Sequence, residues 1–267
     1  MDGQAMNEGY ARRPRVGLFV TCLVDLMRPS VGFAAARLIE AAGCEVVVPA
    51  EQTCCGQPAY NSGDSASART LALQTMTAFD GLDYVVAPSG SCAAMLKLHY
   101  PRLMAGDAEA EAHARAFAER VHELSSFLVD VRGMTAVPGS FEGRVTYHDG
   151  CSGLRELKVR AQPRRLLSAV PGLELVEMAG TGTCCGFGGL FAVKFPAISD
   201  AMVTAKCASA AAVEPDLLLA GDLGCLLNVA GKLSREGSAI RCRHFAEVLA
   251  GELDAPPIGA GREGGTP

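Results

Sequence analysis

The 267-residue sequence predicts an α/β fold of two tandem Rossmann-like lobes, each built on a parallel sheet and the pair related by internal duplication. Three observations predict it. Short apolar runs rich in β-branched residues alternate with longer helical stretches, the pattern of βαβ units wound around a parallel sheet. The same order of runs recurs in the second half. The triplet Cys-Cys-Gly occurs once in each half, at Cys54, Cys55, Gly56 and at Cys184, Cys185, Gly186, and self-similarity of this kind marks a repeated unit.

Taken in order, the first half offers strands near 15–21, 45–49 and 83–87, the last two dominated by valine, and helices near 31–42, 64–80 and 92–104, rich in alanine and leucine. The second half offers strands near 144–148, 173–177 and 216–220, with helices near 162–169, 196–212 and 225–235. "RVGLFVTC", ending at Cys22, matches "RVTYHDGC", ending at Cys151, and "DYVVAPSGSC", ending at Cys92, matches "PDLLLAGDLGC", ending at Cys225. The alanine- and glutamate-rich stretch from Glu109 to about Arg132 reads as a helical connector. Its end, "HELSSFLVDV", echoes "HFAEVLAGEL" late in the second half, so each repeat is expected to close with the same helix. Residues 138–143 hold the boundary signal, giving a first lobe with connector over 15–137 and a second over 138–254. Residues 1–14 and the Gly/Pro-rich tail 255–267 are expected to be disordered.

Composition narrows the function. Hydrophobic residues make up 49% of the chain, enough for a large core. A net charge of -5 and the lack of a concentrated Lys/Arg face argue against nucleic acid, and the absence of tryptophan argues against a base-stacking platform. The N-terminal stretch lacks an apolar leader, and no run approaches the roughly 18 apolar residues of a membrane span. The expectation is a cytoplasmic protein with no transmembrane segment, peripheral to a membrane only through partners.

Eleven cysteines cannot all pair internally, and a reducing compartment disfavours disulfides in any case. Neighbouring cysteines are also poor disulfide partners, because their Cα atoms lie about 3.8 Å apart where an unstrained bridge wants about 4.4 Å or more. Cys22, Cys92, Cys151 and Cys225 each follow a predicted strand, and each doublet lies in the loop after the middle strand. Ligands in open α/β sheets sit beyond the carboxyl ends of the strands, so four thiols should converge in each lobe. Intervening residues number 31 then 36 in the first set and 32 then 39 in the second. Structural zinc usually takes cysteines in closely spaced pairs, whereas an iron-sulfur cluster accepts varied spacings. The spacing thus favours a cluster, with zinc or plain structural cysteines as alternatives. Glycine after each doublet lets the backbone come close and donate amides to sulfur.

His148 and Asp149, just before Cys151, are catalytic candidates that could relay protons or orient a substrate, although such residues often only cap a turn. Cys44, Cys207 and Cys242 fall outside both sets and read as small buried hydrophobes.

At "LFVTCLVDLMRPSVG", "QTCCGQPAYNSG", "VVAPSGSCAAML", "RVTYHDGC", "CCGFGGLFAVK" and "GDLGCLLN" the chain resembles the cysteine-rich CCG-domain family of iron-sulfur proteins. That family includes the B subunit of heterodisulfide reductase and the iron-sulfur subunits of glycolate and glycerol-phosphate oxidation, and the likeness is greatest to its lactate-utilisation branch. The resemblance implies [4Fe-4S] clusters, one per lobe if both sites fill, held by Cys22, Cys54, Cys55, Cys92 and by Cys151, Cys184, Cys185, Cys225. It implies an electron-transfer subunit of a complex that oxidises L-lactate, a small 2-hydroxy acid, to pyruvate with two partner subunits, one of them ferredoxin-like. Heterodisulfide reductase relatives carry a fifth cysteine in each set, three residues before the last. This chain has Ser89 and Asp222 there, possible oxygen ligands. A heterodisulfide or thiol reductase using cluster-based sulfur chemistry, and a zinc-stabilised interaction module, are the alternatives.

Overall fold

The computed structural model describes residues 12–260. The ends expected to be disordered, 1–11 and 261–267, lie outside the described residues. In the first lobe the elements run β1 (Arg15–Leu18), α1 (Cys22–Met27), α2 (Pro29–Ala41), β2 (Glu45–Val47), α3 (Gln57–Ser62), α4 (Ser65–Ala78), β3 (Tyr84–Ala87), α5 (Gly90–Ala94), α6 (Tyr100–Leu103), α7 (Ala108–Arg120), β4 (Val121–Glu123) and α8 (Leu124–Ser126). A π-helical turn over Met95–His99 joins α5 to α6, and another over Phe127–Val131 extends α8. The second lobe runs β5 (Gly143–His148), α9 (Cys151–Arg155), α10 (Ala161–Leu167), β6 (Leu173–Leu175), α11 (Leu190–Lys194), α12 (Pro196–Ala211), β7 (Leu217–Ala220), α13 (Leu223–Arg235), β8 (Arg241–His244) and α14 (Phe245–Ala250).

Each lobe is a parallel four-stranded sheet, ordered β2-β1-β3-β4 and β6-β5-β7-β8. The strand order reverses beside β1 and β5, so the chain leaves β1 and β3, or β5 and β7, in opposite directions and opens a crevice at their carboxyl ends. Helices cover both faces, which is why β7 reads as a continuous apolar run and is buried throughout.

The fourth strand of each sheet corrects the sequence reading. The helical connector expected from Glu109 to Arg132 breaks at Arg120, and Val121–Glu123 pairs with β3 before the chain turns helical again. Three residues are too few for alternation to stand out beside an alanine-rich helix. β8 hides in the same way, because its sequence, RCRH, is mostly polar. Composition also misjudges residues 255–260: the Ile258 amide donates to the Cys242 carbonyl at 2.8 Å, and Ile258 is buried against α13 and β8.

The closing helices repeat as expected, and they cross between lobes. α14 of the second lobe packs on α2 of the first, while α8 and its π-helical turn pack on α10 of the second. One apolar core therefore runs through both lobes, including Leu38, Phe127, Leu128, Tyr147, Leu166, Phe245 and Leu249. Each such side chain contributes about 2 kcal/mol when fully buried. Polar bonds fix the register of the crossing. Arg28 Nε and Ser30 Oγ donate to the buried Glu247 carboxylate at 2.8 and 2.7 Å.

Candidate metal centres

In both lobes the cysteines arrive from the same three places. Cys22 and Cys151 are the first residues of α1 and α9, just past β1 and β5. Cys92 and Cys225 lie in the first turns of α5 and α13, just past β3 and β7. Both doublets sit in the loop that follows an edge strand of the sheet, β2 or β6. Helix N-termini present unpaired amides and partial positive charge, which favours the thiolate.

In the first lobe Cys22 Sγ lies 3.9 Å from Cys54 Sγ, and Cys55 Sγ lies 3.5 Å from Cys92 Sγ. The doublet links the two pairs, since Cys54 and Cys55 are consecutive residues. In the second lobe Cys185 Sγ, Cys225 Sγ and a ring nitrogen of His148 lie within 4.8 Å of one another, and Cys151 and Cys184 are near enough to act electrostatically on this group and on each other. The structure brings the four cysteines of each lobe into one neighbourhood.

Backbone anchoring holds the doublets in place. Tyr100 Oη donates to the Cys55 carbonyl at 3.0 Å, and Asn228 Nδ2 donates to the Cys185 carbonyl at 2.9 Å. Each anchor comes from the helical run that carries the lobe's last cysteine. Gly186 turns with φ +84°, and its amide points at Cys184 Sγ, 3.5 Å away. A Cβ there would lie 2.7 Å from the Ser199 carbonyl oxygen, so the loop can approach α12 only with glycine.

Crowding makes the thiols compete for protons. Hydrogen bonding from Cys22 and then Cys55 holds Cys54 far below its ordinary value. The same contact, followed by burial, drives Cys22 well above it. Contacts with Cys54 and Cys92, then burial, raise Cys55 likewise, and burial leads the rise at Cys151. Four thiolates at this spacing need a cationic group among them, and soft sulfur donors suit zinc or iron-sulfur centres. The residues present fit such a group.

Ser89 and Asp222 are buried and bonded to each other across the lobe interface. Asp222 Oδ1 accepts from Ser89 Oγ at 2.6 Å, from Ser91 Oγ at 2.8 Å and from the Ser91 amide at 3.3 Å. Although Asp222 precedes α13, its carboxylate caps α5 of the other lobe. Ser89 in turn accepts from the Cys92 amide at 3.2 Å. A small cavity of about 20 Å³ beside them is lined in part by Glu123, Tyr147 and Gly90, room for one water. Burial raises the Glu123 carboxyl to about 7, while Ser125 and the Ser126 amide bond it.

His148 is buried, and its Nδ1 lies 3.0 Å from the Thr181 carbonyl oxygen. Its Nε2 is buried without a partner. Burial, followed by the Lys206 charge, lowers His148 to about 4, so the ring is neutral near pH 7. Asp149 sits elsewhere in character: Arg164 takes both of its oxygens, at 2.8 and 2.9 Å, and also binds Glu177. Cys44, Cys207 and Cys242 are buried in the apolar cores, the latter two in the cluster that also includes Cys185 and Cys225.

Lys206 escaped the sequence reading. It is 2% exposed on α12, donates to the Gly180 and Thr181 carbonyls at 2.6 and 3.2 Å, and lies near Cys184, Cys185 and Cys225. The signal was available, because Ser199, Val203, Lys206 and Ala210 recur at helical spacing and mark one buried face.

Comparison with known proteins agrees with this layout. The cysteine-rich CCG domain matches residues 16–97 and again 145–230. The chain is 51% identical over 235 residues to lactate utilization protein A of Geobacillus kaustophilus (strain HTA426), covering 88% of this chain and 98% of that one. It is 44% identical over 235 residues to lactate utilization protein A of Oceanobacillus iheyensis, covering 88% and 96%. A crystal structure of a hypothetical protein from Helicobacter pylori superposes with a TM-score of 0.60 at 11% identity, over 90% of this chain and 49% of that one, which speaks for the fold alone. With two matched copies of the domain and this identity along most of its length, the chain belongs to the cysteine-rich CCG-domain family and, within it, to the proteins called lactate utilization protein A.

Proposed function

We propose that this chain is the iron-sulfur electron-transfer subunit of a multi-protein system that oxidises L-lactate to pyruvate. The observation that carries the reading is the convergence of eight thiols into two matched quartets, one at the crevice of each sheet. Cys22, Cys54, Cys55 and Cys92 would hold one centre, and Cys151, Cys184, Cys185 and Cys225 the other. Oxidation of a 2-hydroxy acid to a 2-oxo acid releases two electrons and two protons, and [4Fe-4S] clusters would supply one-electron carriers for the former.

The protein's own residues do the rest. Tyr100 and Asn228 fix the doublets, the Gly186 amide donates toward sulfur, and Lys206 sets a cation beside the second quartet. Arg164 engages both oxygens of Asp149, Ser125 and the Ser126 amide bond Glu123, and Ser89 and Ser91 bond Asp222, so the carboxylates lining the small cavity are held in structural bonds. Substrate oxidation is accordingly assigned to partner proteins. The helices that follow the cysteines carry exposed apolar side chains, Leu26 and Met27 beyond Cys22 and Val193, Phe195 and Ile198 beyond the second doublet, which suit docking of partners close to the centres. No helix among the described residues is long and apolar enough to cross a membrane.

Lactate enters through the names of the relatives. The heterodisulfide-reductase alternative is weaker, since Ser89 Oγ and Asp222 Oδ1 are engaged with each other and with α5. The test is to purify the chain and its partner proteins without oxygen, add L-lactate, and follow the visible absorption and electron paramagnetic resonance of this chain. Reduction that requires both lactate and the partners is expected. Lactate oxidation at an unchanged rate without this chain would overturn the proposal.

A further inference from the structure

The duplicated lobes differ at one buried position that faces the thiols. In the matched strands "RVGLFVTC" and "RVTYHDGC", His148 takes the place of Phe19. Phe19 is fully buried and packs on Phe79, with ring centroids 5.8 Å apart. His148 is equally enclosed, at 1% exposure, but brings two nitrogens. Nδ1 is satisfied by the Thr181 carbonyl at 3.0 Å, which requires the proton on Nδ1 and leaves the lone pair on Nε2. Nε2 has no partner. A ring nitrogen of His148, Cys185 Sγ and Cys225 Sγ all lie within 4.8 Å of one another.

A buried polar atom without a bond is costly, and native proteins seldom leave one. Metal-binding histidines characteristically donate their other ring N–H to a backbone carbonyl, which fixes the tautomer and aims the free nitrogen. Lys206 steadies this second layer by donating to the same Thr181 carbonyl and to that of Gly180. The first lobe has no such lysine. Gly56 packs on Ala68 as Gly186 packs on Ser199, and counting onward along the two helices sets Thr75 opposite Lys206.

We propose that His148, through Nε2, is a nitrogen ligand of the metal group held in the second lobe, so that the two centres are chemically unequal. This rests on the reading that the cysteine quartets hold metal. The first lobe offers sulfur alone; the second offers Cys151, Cys184, Cys185, Cys225 and one neutral nitrogen beside a buried cation. His148 takes a position that one of these thiolates would otherwise fill, and neutral nitrogen in place of anionic sulfur raises the potential of an iron-sulfur centre, as it does where histidines replace cysteines on one iron of a two-iron cluster. A nearby cation acts in the same direction, because reduction adds negative charge. The second lobe is therefore the electron sink of the pair.

The test uses the full chain purified without oxygen, with metal and sulfide analysis, X-ray absorption at the edge of whichever metal is present, and pulsed electron paramagnetic resonance on protein with 15N-labelled histidine. Histidine nitrogen coupled to one of two centres is expected. His148→Phe, which installs the residue the first lobe already accommodates, and His148→Ala should each abolish that coupling, leave the first centre's signal unchanged and shift the second centre's midpoint potential downward. A wild-type spectrum without histidine nitrogen overturns the inference, as does coupling that survives both substitutions. Zinc in place of iron and sulfide would defeat the electron-transfer reading while leaving the ligand question to the zinc edge, where nitrogen scattering supports His148 and sulfur alone refutes it.

Discussion

Substitution of Asp222 should loosen the lobes from each other. Its carboxylate is 6% exposed and receives Ser89 Oγ, Ser91 Oγ and the Ser91 amide at the start of a helix in the other lobe. A hydrogen bond to a charged group is worth about 1.5 to 3 kcal/mol, and stranding its donors adds their desolvation. The bonds share one oxygen and do not sum, so Asp222→Ala should cost about 3 to 5 kcal/mol in the metal-loaded chain. Asp222→Asn keeps an acceptor and loses the charge, for about 1 to 2 kcal/mol. Ser89→Ala should cost about 1 to 2 kcal/mol, since Ser91 still serves Asp222. In the doubly substituted protein the losses should fall short of additive. Urea unfolding followed by circular dichroism, at fixed pH and matched metal content, measures all four. An Asp222→Ala protein within 0.5 kcal/mol of the wild type, or strict additivity with Ser89→Ala, would refute the reasoning.

Glu123→Gln should alter the pH dependence of stability. Burial lifts the folded carboxyl from 4.5 to about 7, so its contribution is fully present below pH 4.5 and is lost as pH rises through 7. Across that interval, at about 1.4 kcal/mol per pH unit, the loss is about 3 kcal/mol, and the permanently neutral amide should remove it. Parallel stability curves for the two proteins between pH 5 and 8 would contradict this. Gly186→Ala should cost about 2 to 3 kcal/mol and deplete metal from the second lobe alone, because φ is +84° and Cβ would press on the Ser199 carbonyl; unchanged metal content speaks against it. Alanine at Cys44, Cys207 or Cys242 should leave metal content intact and cost only about 1 kcal/mol in lost packing, read by metal analysis and thermal unfolding.

Most of the architecture was legible because it is written twice. Matched spacing around Cys54–Cys55 and Cys184–Cys185 disclosed the duplication, and the strand ends before Cys22 and Cys151 disclosed where the thiols meet. β4 and β8 were not legible, since three or four residues of mixed polarity carry no period that a neighbouring helix does not mask. Crossing of α14 onto α2 depends on contacts between residues more than two hundred positions apart, such as Arg28 with Glu247, and nothing local announces it. At the candidate centres the sequence pattern points to the cysteines and not to their surroundings. Ser89 and Asp222 stood out only as missing cysteines, whereas their bond to each other emerges from the facing of the two lobes. Lys206 looked like one more charge on an alanine-rich helix until its face proved to be the buried one.

Iron and acid-labile sulfide, counted on the chain purified without oxygen, test the central claim most directly. Two quartets of thiols predict iron and sulfide at both lobes, with about half lost in Cys55→Ser or Cys185→Ser and nearly all lost when both are changed. Zinc in stoichiometric amount without sulfide, or a chain whose eight thiols all react freely and carry no metal, would contradict it.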